Sequence, residues 1–308
     1  MNGPYEVVGL GLATADLLVG VPHLPGPDEV FAVDALELQG GGPVATALAA
    51  LGLWGVSTSY LGPLAHDRWG SEIAQGLEQL GVSTRHTLPC PEAQSSFSVL
   101  LVQAATGQRS ILYRPGQGLE YPAEAVPLEV VRQARILHLD GSYPQAALVA
   151  AQAARQAGVT VSFDGGAGER LWPGTIELLP WIDLLIVAQR FAYNLTGQSD
   201  PLVAGPQLLE YGAELAIITD GANGCWYFSA QEQWFQPAFP VKVVDTTGAG
   251  DTFHGGYLYA HLQGWSARQG LIFASAAAGL KCQGMGGRHS LPSLKQVLDY
   301  CQPYGLIP

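Results

Sequence analysis

Short, nearly continuous apolar runs alternate with Ala- and Leu-rich stretches along most of the chain. Val7–Leu10, Ser57–Leu61, Ile136–Leu139, Val159–Phe163, Leu184–Val187 and Leu215–Thr219 read as buried strands. Pro43–Leu53, Ser71–Leu80, Pro144–Gln156, Pro206–Tyr211, Gly250–Leu262, Ser266–Lys281 and Ser293–Cys301 read as helices. Strands without apolar/polar alternation are buried on both faces, and intervening helices supply the covers. The pattern therefore predicts an α/β fold: a doubly wound, mostly parallel central sheet with helices on both faces. Ligands on such sheets bind beyond the carboxyl ends of the strands.

Two stretches break the rhythm. Glu29–Leu38 alternates apolar residues (Val30, Ala32) with polar ones (Asp34, Glu37), and Ser98–Gln103 and Arg109–Tyr113 flank a turn at Ala105–Gly107. Half-buried antiparallel strands alternate in this way. We read a small β-sheet lid, formed by about 17–39 and 95–115, on a single domain spanning 1–308. No internal repeat or low-complexity linker divides the chain.

The chain has 308 residues, 48% of them hydrophobic and 13% charged, and a net charge of −12. That composition supports a large core rather than disorder. A surface this acidic repels nucleic acid and anionic membranes, so neither is expected as a partner. Cys90, Cys225, Cys282 and Cys301 show no metal-binding or redox spacing, and reduced thiols are expected. There is no basic segment followed by an apolar stretch at the start, and no uninterrupted apolar run of about 18 residues. A cytoplasmic protein is expected.

The most specific signal is Asp245-Thr-Thr-Gly-Ala-Gly-Asp251, between a β-rich segment (Val241–Val244) and a helical one. The backbone of Gly248, Ala249 and Gly250 can gather bare N–H groups at a helix start, where the dipole also favours an anion. Asp251 beside that cradle is a poor phosphate ligand but a suitable acceptor for a hydroxyl proton. Together they suggest phosphoryl transfer from a nucleotide to an alcohol. The same run also suits a glycine-rich turn with a capping aspartate. None of the three lysines, Lys242, Lys281 and Lys295, precedes Ser or Thr, which excludes a Walker A loop. Gly9-Leu-Gly11 lacks the third glycine and the following helix of a dinucleotide fingerprint.

Other candidates are more ambiguous. Gly40–Gly42 before Pro43 permit close approach to a ligand or form a flexible loop. Asp16, after the first strand, suits two sugar hydroxyls or a turn. Thr219–Gly224 suits a nucleotide contact or a plain hairpin turn. His254, one turn past Asp251, is read as a packing residue.

Together, the Asp16, Gly40–Thr46 and Asp245–Phe253 signals resemble the ribokinase-like (PfkB family) carbohydrate kinases across nearly the whole chain. The likeness is strongest to its ketose and sulfoketose kinases, through Gly40–Thr46, Ala278–Cys282 and Gly286-Gly287-Arg288. The resemblance implies a sugar kinase using ATP and Mg²⁺. Asp251 would be the catalytic base, and Gly248, Ala249 and Gly250 the anion hole. Asp16, Gly41, Gly42, Thr46 and Asp140 would contact the sugar; apart from the resemblance, Arg114 at the end of the hairpin suits an acidic group of the substrate or a solvated lid position. Thr219, Gly221, Gly224 and Ser275 would contact the nucleotide. Asp245, Thr247, Gly286 and Ser290 align with a K⁺ loop. A homodimer through the lid is also implied.

The chain departs from the family pattern in places. Thr14 and Thr46 stand where ribokinases carry asparagine, which argues against ribose. Ala188 and Phe191 replace an Asn-x-x-Glu pair that helps organise magnesium, and Asp164 is the candidate substitute. Val30, Leu112 and Ser142 stand where sulfoketose kinases hold a sulfonate, so sulfofructose is expected to be a poor substrate. Two alternatives stay open: a nucleoside kinase using Phe97, Tyr113 and Trp54 to cover a base, and a catalytically silent sugar-binding regulator.

Overall fold

The computed structural model describes residues 5–33, 35–166 and 171–305. Asp34, part of the alternating pattern above, lies outside them. Nine strands form the main sheet in the order Gln233–Gln236, Cys225–Ser229, Leu215–Thr219, Leu184–Ala188, Thr160–Asp164, Ile136–Leu139, Val7–Leu10, Thr58–Leu61, Val82–Ser83. From Leu215–Thr219 to Val82–Ser83 every pair is parallel, while the first two strands are antiparallel additions at one edge. Successive residues of each strand serve opposite faces. Val8, Leu10, Leu137, Leu139, Val161 and Phe163 pack with Ala147 and Ala151 of the Pro144–Gln156 helix on one face. Val7, Ile136 and Leu184 pack with Leu48, Leu51, Leu258 and Phe273 on the other.

Four strands form the small sheet, in the order Ala35–Gly41, Thr14–Val21, Phe97–Gln103, Arg109–Arg114. Its inward face places Leu18, Leu100 and Val102 against Met285. The sequence pattern misplaced two of its parts. The segment through Val30 is not a strand; Val30 is 93% exposed, and pairing begins at Ala35. Alternation without a burying partner is not enough to make a strand. Conversely, Thr14–Val21 is a strand, and Gly40 and Gly41 end its partner rather than forming a flexible loop.

Val241–Val244, read as a strand leading into the glycine run, is irregular. Val243 and Val244 are exposed, and the Val244 and Asp245 N–H groups donate to the Cys282 carbonyl at 2.8 and 3.2 Å. Its backbone bonds go to a helix terminus instead of a sheet edge. Ser266 and Ser293 cap the helices Ala267–Lys281 and Leu294–Cys301 through capping boxes, which explains the sharp starts read from sequence. Among the described residues, no helix is long and apolar enough to cross a membrane. The four cysteines are free thiols.

Candidate active site

The sheet gathers the candidate acids. Asp140 follows the strand Ile136–Leu139, Asp164 ends Thr160–Asp164, and Thr219 ends Leu215–Thr219, all at carboxyl ends of parallel strands. Helix Ala249–Leu262 points its N-terminus at the same side, with Gly248 at the cap, at φ 74°. Only glycine adopts that left-handed conformation without strain, and a Cβ there would also press on Gly287 Cα at 2.7 Å. No side chain caps the helix. Among the described residues, the N–H groups of Gly248, Gly250 and Asp251 find no backbone acceptor, and that of Ala249 reaches only the Thr246 carbonyl at 3.3 Å. A Cβ built on Gly250 meets nothing within 4 Å. Space is thus open at Gly250, among N–H groups with no backbone acceptor at the positive end of a helix, a fit for a phosphoryl group.

Asp251 sits half-buried in the first turn. The helix dipole alone would favour its ionised form, but burial and the neighbouring Asp164 carboxylate push its pKa up. The Arg109 and Arg288 guanidinium groups oppose that rise. Asp164 is raised as well, chiefly by burial. One of its oxygens accepts from the Gly166 N–H at 2.7 Å and the other lies 3.3 Å from His254 Nε2. His254 packs in the interior against the His138 ring, and burial drives its pKa down to about 3. It is therefore neutral, and its role goes beyond the packing assigned from sequence because it contacts the acid beside Asp251.

The small sheet delivers the second part of the site. Asp16 is 8% exposed, accepts a 2.7 Å bond from Thr14 Oγ1, and is raised by burial against the pull of Arg288. Any Cβ at Gly41 would collide with the Asp16 carboxylate, so this glycine leaves the acid its place. Gly42 caps the helix Pro43–Leu53.

Arg288 locks these parts together and was not nominated from sequence. It is 3% exposed. It donates from Nη2 to the Gly41 carbonyl at 2.7 Å and from Nε to Thr46 Oγ1 at 3.4 Å, while Gln39 Oε1 accepts from its backbone N–H at 2.7 Å. Burial lowers it to about 10, so it remains a cation at neutral pH. Its sequence signal was its place in the Gly286-Gly287-Arg288 run, which carried the family likeness but gave the arginine no role. Arg109 was also missed. From the hairpin of the small sheet, its Nη1 donates to Thr246 Oγ1 at 2.8 Å, and the Thr246 N–H donates to the Gly107 carbonyl at 3.3 Å.

Other nominated residues lie in more self-contained surroundings. Asp140 is 2% exposed, with its oxygens accepting from the Leu12 and Ser142 N–H groups at 2.8 and 2.9 Å. Arg114 donates to the Ser95 carbonyl and lines a recess with Asp67, Arg68, Trp69 and Gln94. Gly221 faces open space, whereas a Cβ at Gly224 would collide with the Gln236 carbonyl. Ser275 is 9% exposed, with its hydroxyl beside the Cys225 thiol. Asp245 Oδ1 accepts from the Thr247 N–H and hydroxyl at 2.8 and 2.7 Å, and Oδ2 from the Gly286 N–H at 2.7 Å. The Ser290 hydroxyl donates to the Gly286 carbonyl. Trp54, considered above as cover for a base, is a core residue whose indole N–H donates to the Pro292 carbonyl.

Known proteins resemble this chain over nearly its whole length. The chain is 30% identical to the ribokinase of Arabidopsis thaliana over 305 residues, covering 95% of this chain and 80% of that protein. It is 27% identical to fructokinase-1 of Zea mays, covering 96% and 98%. The structure of Arabidopsis thaliana ribokinase complexed with ribose and ATP superposes with a TM-score of 0.83 at 30% identity, covering 97% of this chain and 99% of that one. A ribokinase structure from Giardia lamblia, at 18% identity, shares the fold with a TM-score of 0.86, covering 97% and 99%. Residues 6–294 match the pfkB family carbohydrate kinases; the chain belongs to that family and is a carbohydrate phosphotransferase.

Proposed function

We propose that this kinase transfers the γ-phosphoryl group of ATP to a hydroxyl of a small carbohydrate, a ketose or related sugar. The observation carrying this reading is the uncapped helix N-terminus at Gly248–Gly250 with Asp251 in its first turn. Sugar lies between Asp16, Gly41 and Gly42 and the small sheet, which acts as a lid. Nucleotide runs from the anion hole toward Thr219 and Gly221. As charge grows on the phosphoryl oxygens, the Gly248–Gly250 N–H groups stabilise it, and Asp251 accepts the hydroxyl proton. Lid closure excludes water and limits wasteful hydrolysis. Thr14 and Thr46 are engaged with Asp16 and Arg288, which supports a substrate other than ribose.

Among the described residues, no three His, Cys, Asp or Glu side chains converge as a metal-binding group. A Mg²⁺ ion would therefore be carried chiefly by nucleotide phosphates. The acidic pair Asp164 and Asp251 suits its neighbourhood. The ion would neutralise charge on the bridging and transferred phosphates.

A coupled assay of ADP release over ketoses, aldoses, sugar acids and nucleosides tests the reading. Release that depends on an added sugar, with sulfofructose among the poorer acceptors, is expected. Dependence on a nucleoside instead, or on no acceptor, would overturn it.

The pH profile follows from the raised Asp251. A base must be ionised to act, so kcat/KM rises with pH through its elevated pKa, above the ordinary carboxylate range. Asp164 and Asp251 titrate as an interacting pair. Asp164→Asn removes the repelling charge, and the acid limb is expected to move to lower pH. A limb that stays in place, or moves up, contradicts the coupling.

The outer face of the small sheet sets Leu17, Val19, Leu36, Val99, Leu101 and Leu112 on neighbouring strands, with Leu36 and Leu112 64% and 62% exposed. Such a patch favours a homodimer through the lid. Light scattering should return twice the chain mass; a monomer at working concentration removes the proposal.

A further inference from the structure

Lys281 is fully enclosed, with no exposed surface, at the end of the helix Ala267–Lys281. Its Nζ donates to the Asp245 main-chain carbonyl at 2.9 Å. An ammonium inside a protein is costly unless negative charge and acceptors surround it. Burial lowers the Lys281 pKa; against it the Asp245 carboxylate, itself without exposed surface, supplies the largest favourable charge, and the carbonyl end of the helix adds to it. The mechanism above makes no use of this cation.

Its position gives it one. Asp245, Thr247, Gly286 and Ser290 are the residues aligned with an alkali-cation loop, yet their groups are turned to one another. Both Asp245 carboxylate oxygens accept bonds from Thr247 and Gly286, the Gly286 carbonyl accepts from Ser290, and the Asp245 carbonyl accepts from Lys281. A potassium ion needs several free oxygens around it, and this arrangement does not offer them. A protonated amine carries the same charge in a similar volume. We propose that the Lys281 ammonium serves as a built-in substitute for a monovalent cation, anchoring Asp245 at the entrance to the Gly248–Gly250 segment, so that the kinase works without K⁺.

The consequence concerns the anion hole, and this inference rests on that reading of it. Two residues separate Asp245 from Gly248. Fixing the Asp245 carbonyl and carboxylate holds the backbone that presents the unsatisfied N–H groups, and it places a permanent positive charge behind them. An exchangeable ion would make that geometry depend on salt composition, whereas a tethered ammonium does not.

The test compares K⁺ with tetramethylammonium at constant ionic strength. It uses the full-length protein and reads both sugar-dependent ADP release and thermal melting. For the wild type, replacing one salt by the other should change the rate by less than ~2-fold and leave the melting temperature in place. Lys281→Ala removes the cation from the enclosed Asp245 carboxylate, frees the Asp245 carbonyl and leaves the volume of the lost side chain open to an ion. In tetramethylammonium it should melt roughly 5 °C or more below the wild type and turn over more slowly, and K⁺ should restore most of both. Folding of this variant only in K⁺ would also support the substitution. Activation of the wild type by K⁺ of ~3-fold or more, well beyond a general salt effect, overturns the proposal. So does a folded Lys281→Ala protein indifferent to K⁺. If the variant folds in neither salt, the wild-type comparison decides. Should no sugar elicit ADP release, the kinase reading fails while the melting comparison still judges Lys281.

Discussion

Replacing Asp251 by asparagine is expected to lower turnover by ~10²–10⁴-fold, the usual range for loss of a general base, without loss of ATP binding. The carboxylate has a distinct place: it lies in the first helical turn, beside the open N–H groups, and it is the group on which Asp164, Arg109 and Arg288 all act. Asparagine preserves size and polarity but cannot accept the hydroxyl proton. The nucleotide contacts are assigned to main-chain groups and to the Thr219–Gly221 turn, so calorimetric ATP affinity should change little. Near-normal turnover in the variant, or ATP affinity lost together with turnover, would remove Asp251 from its assigned role.

A second large effect is expected at Arg109. Its guanidinium bonds Thr246, two residues before the cap, and its charge reaches Asp251. Placed there, it can meet the negative charge that develops on the phosphoryl oxygens, much as other preorganised donors do. Loss of such a donor costs ~10²–10³-fold in kcat, and this is the expectation for Arg109→Ala. The side chain is exposed, so stability should shift by no more than about 0.5 kcal/mol. This split separates an electrostatic role from a structural one: a variant that melts early with intact kcat would show that Arg109 merely fastens the hairpin.

The main sheet was legible because its strands are buried on both faces, and continuous apolar runs leave little ambiguity when helices of the right length separate them. Val7–Leu10, Ile136–Leu139 and Leu215–Thr219 have the observed bounds. Pro43 and Pro144 marked helix starts because proline fits a first turn. The small sheet was harder to place. Thr14–Val21 has one half-buried face, and it stands so soon after the first strand that its start reads as a turn. Val241–Val244 carries β-branched residues whose backbone partners are at a helix end, which local propensity does not reveal.

Within the site, the glycine run and Asp251 were legible because a cap in the left-handed region leaves a local trace. Arg288 was not, because its partners Gln39, Gly41 and Thr46 lie more than 240 residues away. Arg109 was hidden for the same reason, its hydroxyl acceptor being 137 positions further along. Such long-range pairings arise only when the small sheet folds back over the end of the main one.

The tip of the hairpin also limits how the gene can vary in length. Exposed turns between two strands usually tolerate inserted or deleted residues. Here the Gly107 carbonyl accepts the Thr246 N–H, and a Cβ on Gly107 would lie 2.6 Å from Val243 Cγ1. An insertion at Ala105–Gly107 would therefore push directly on the segment that feeds the helix cap. This surface bend should behave as an indel-intolerant position, with its spacing held by the Val243–Thr246 segment packed against it.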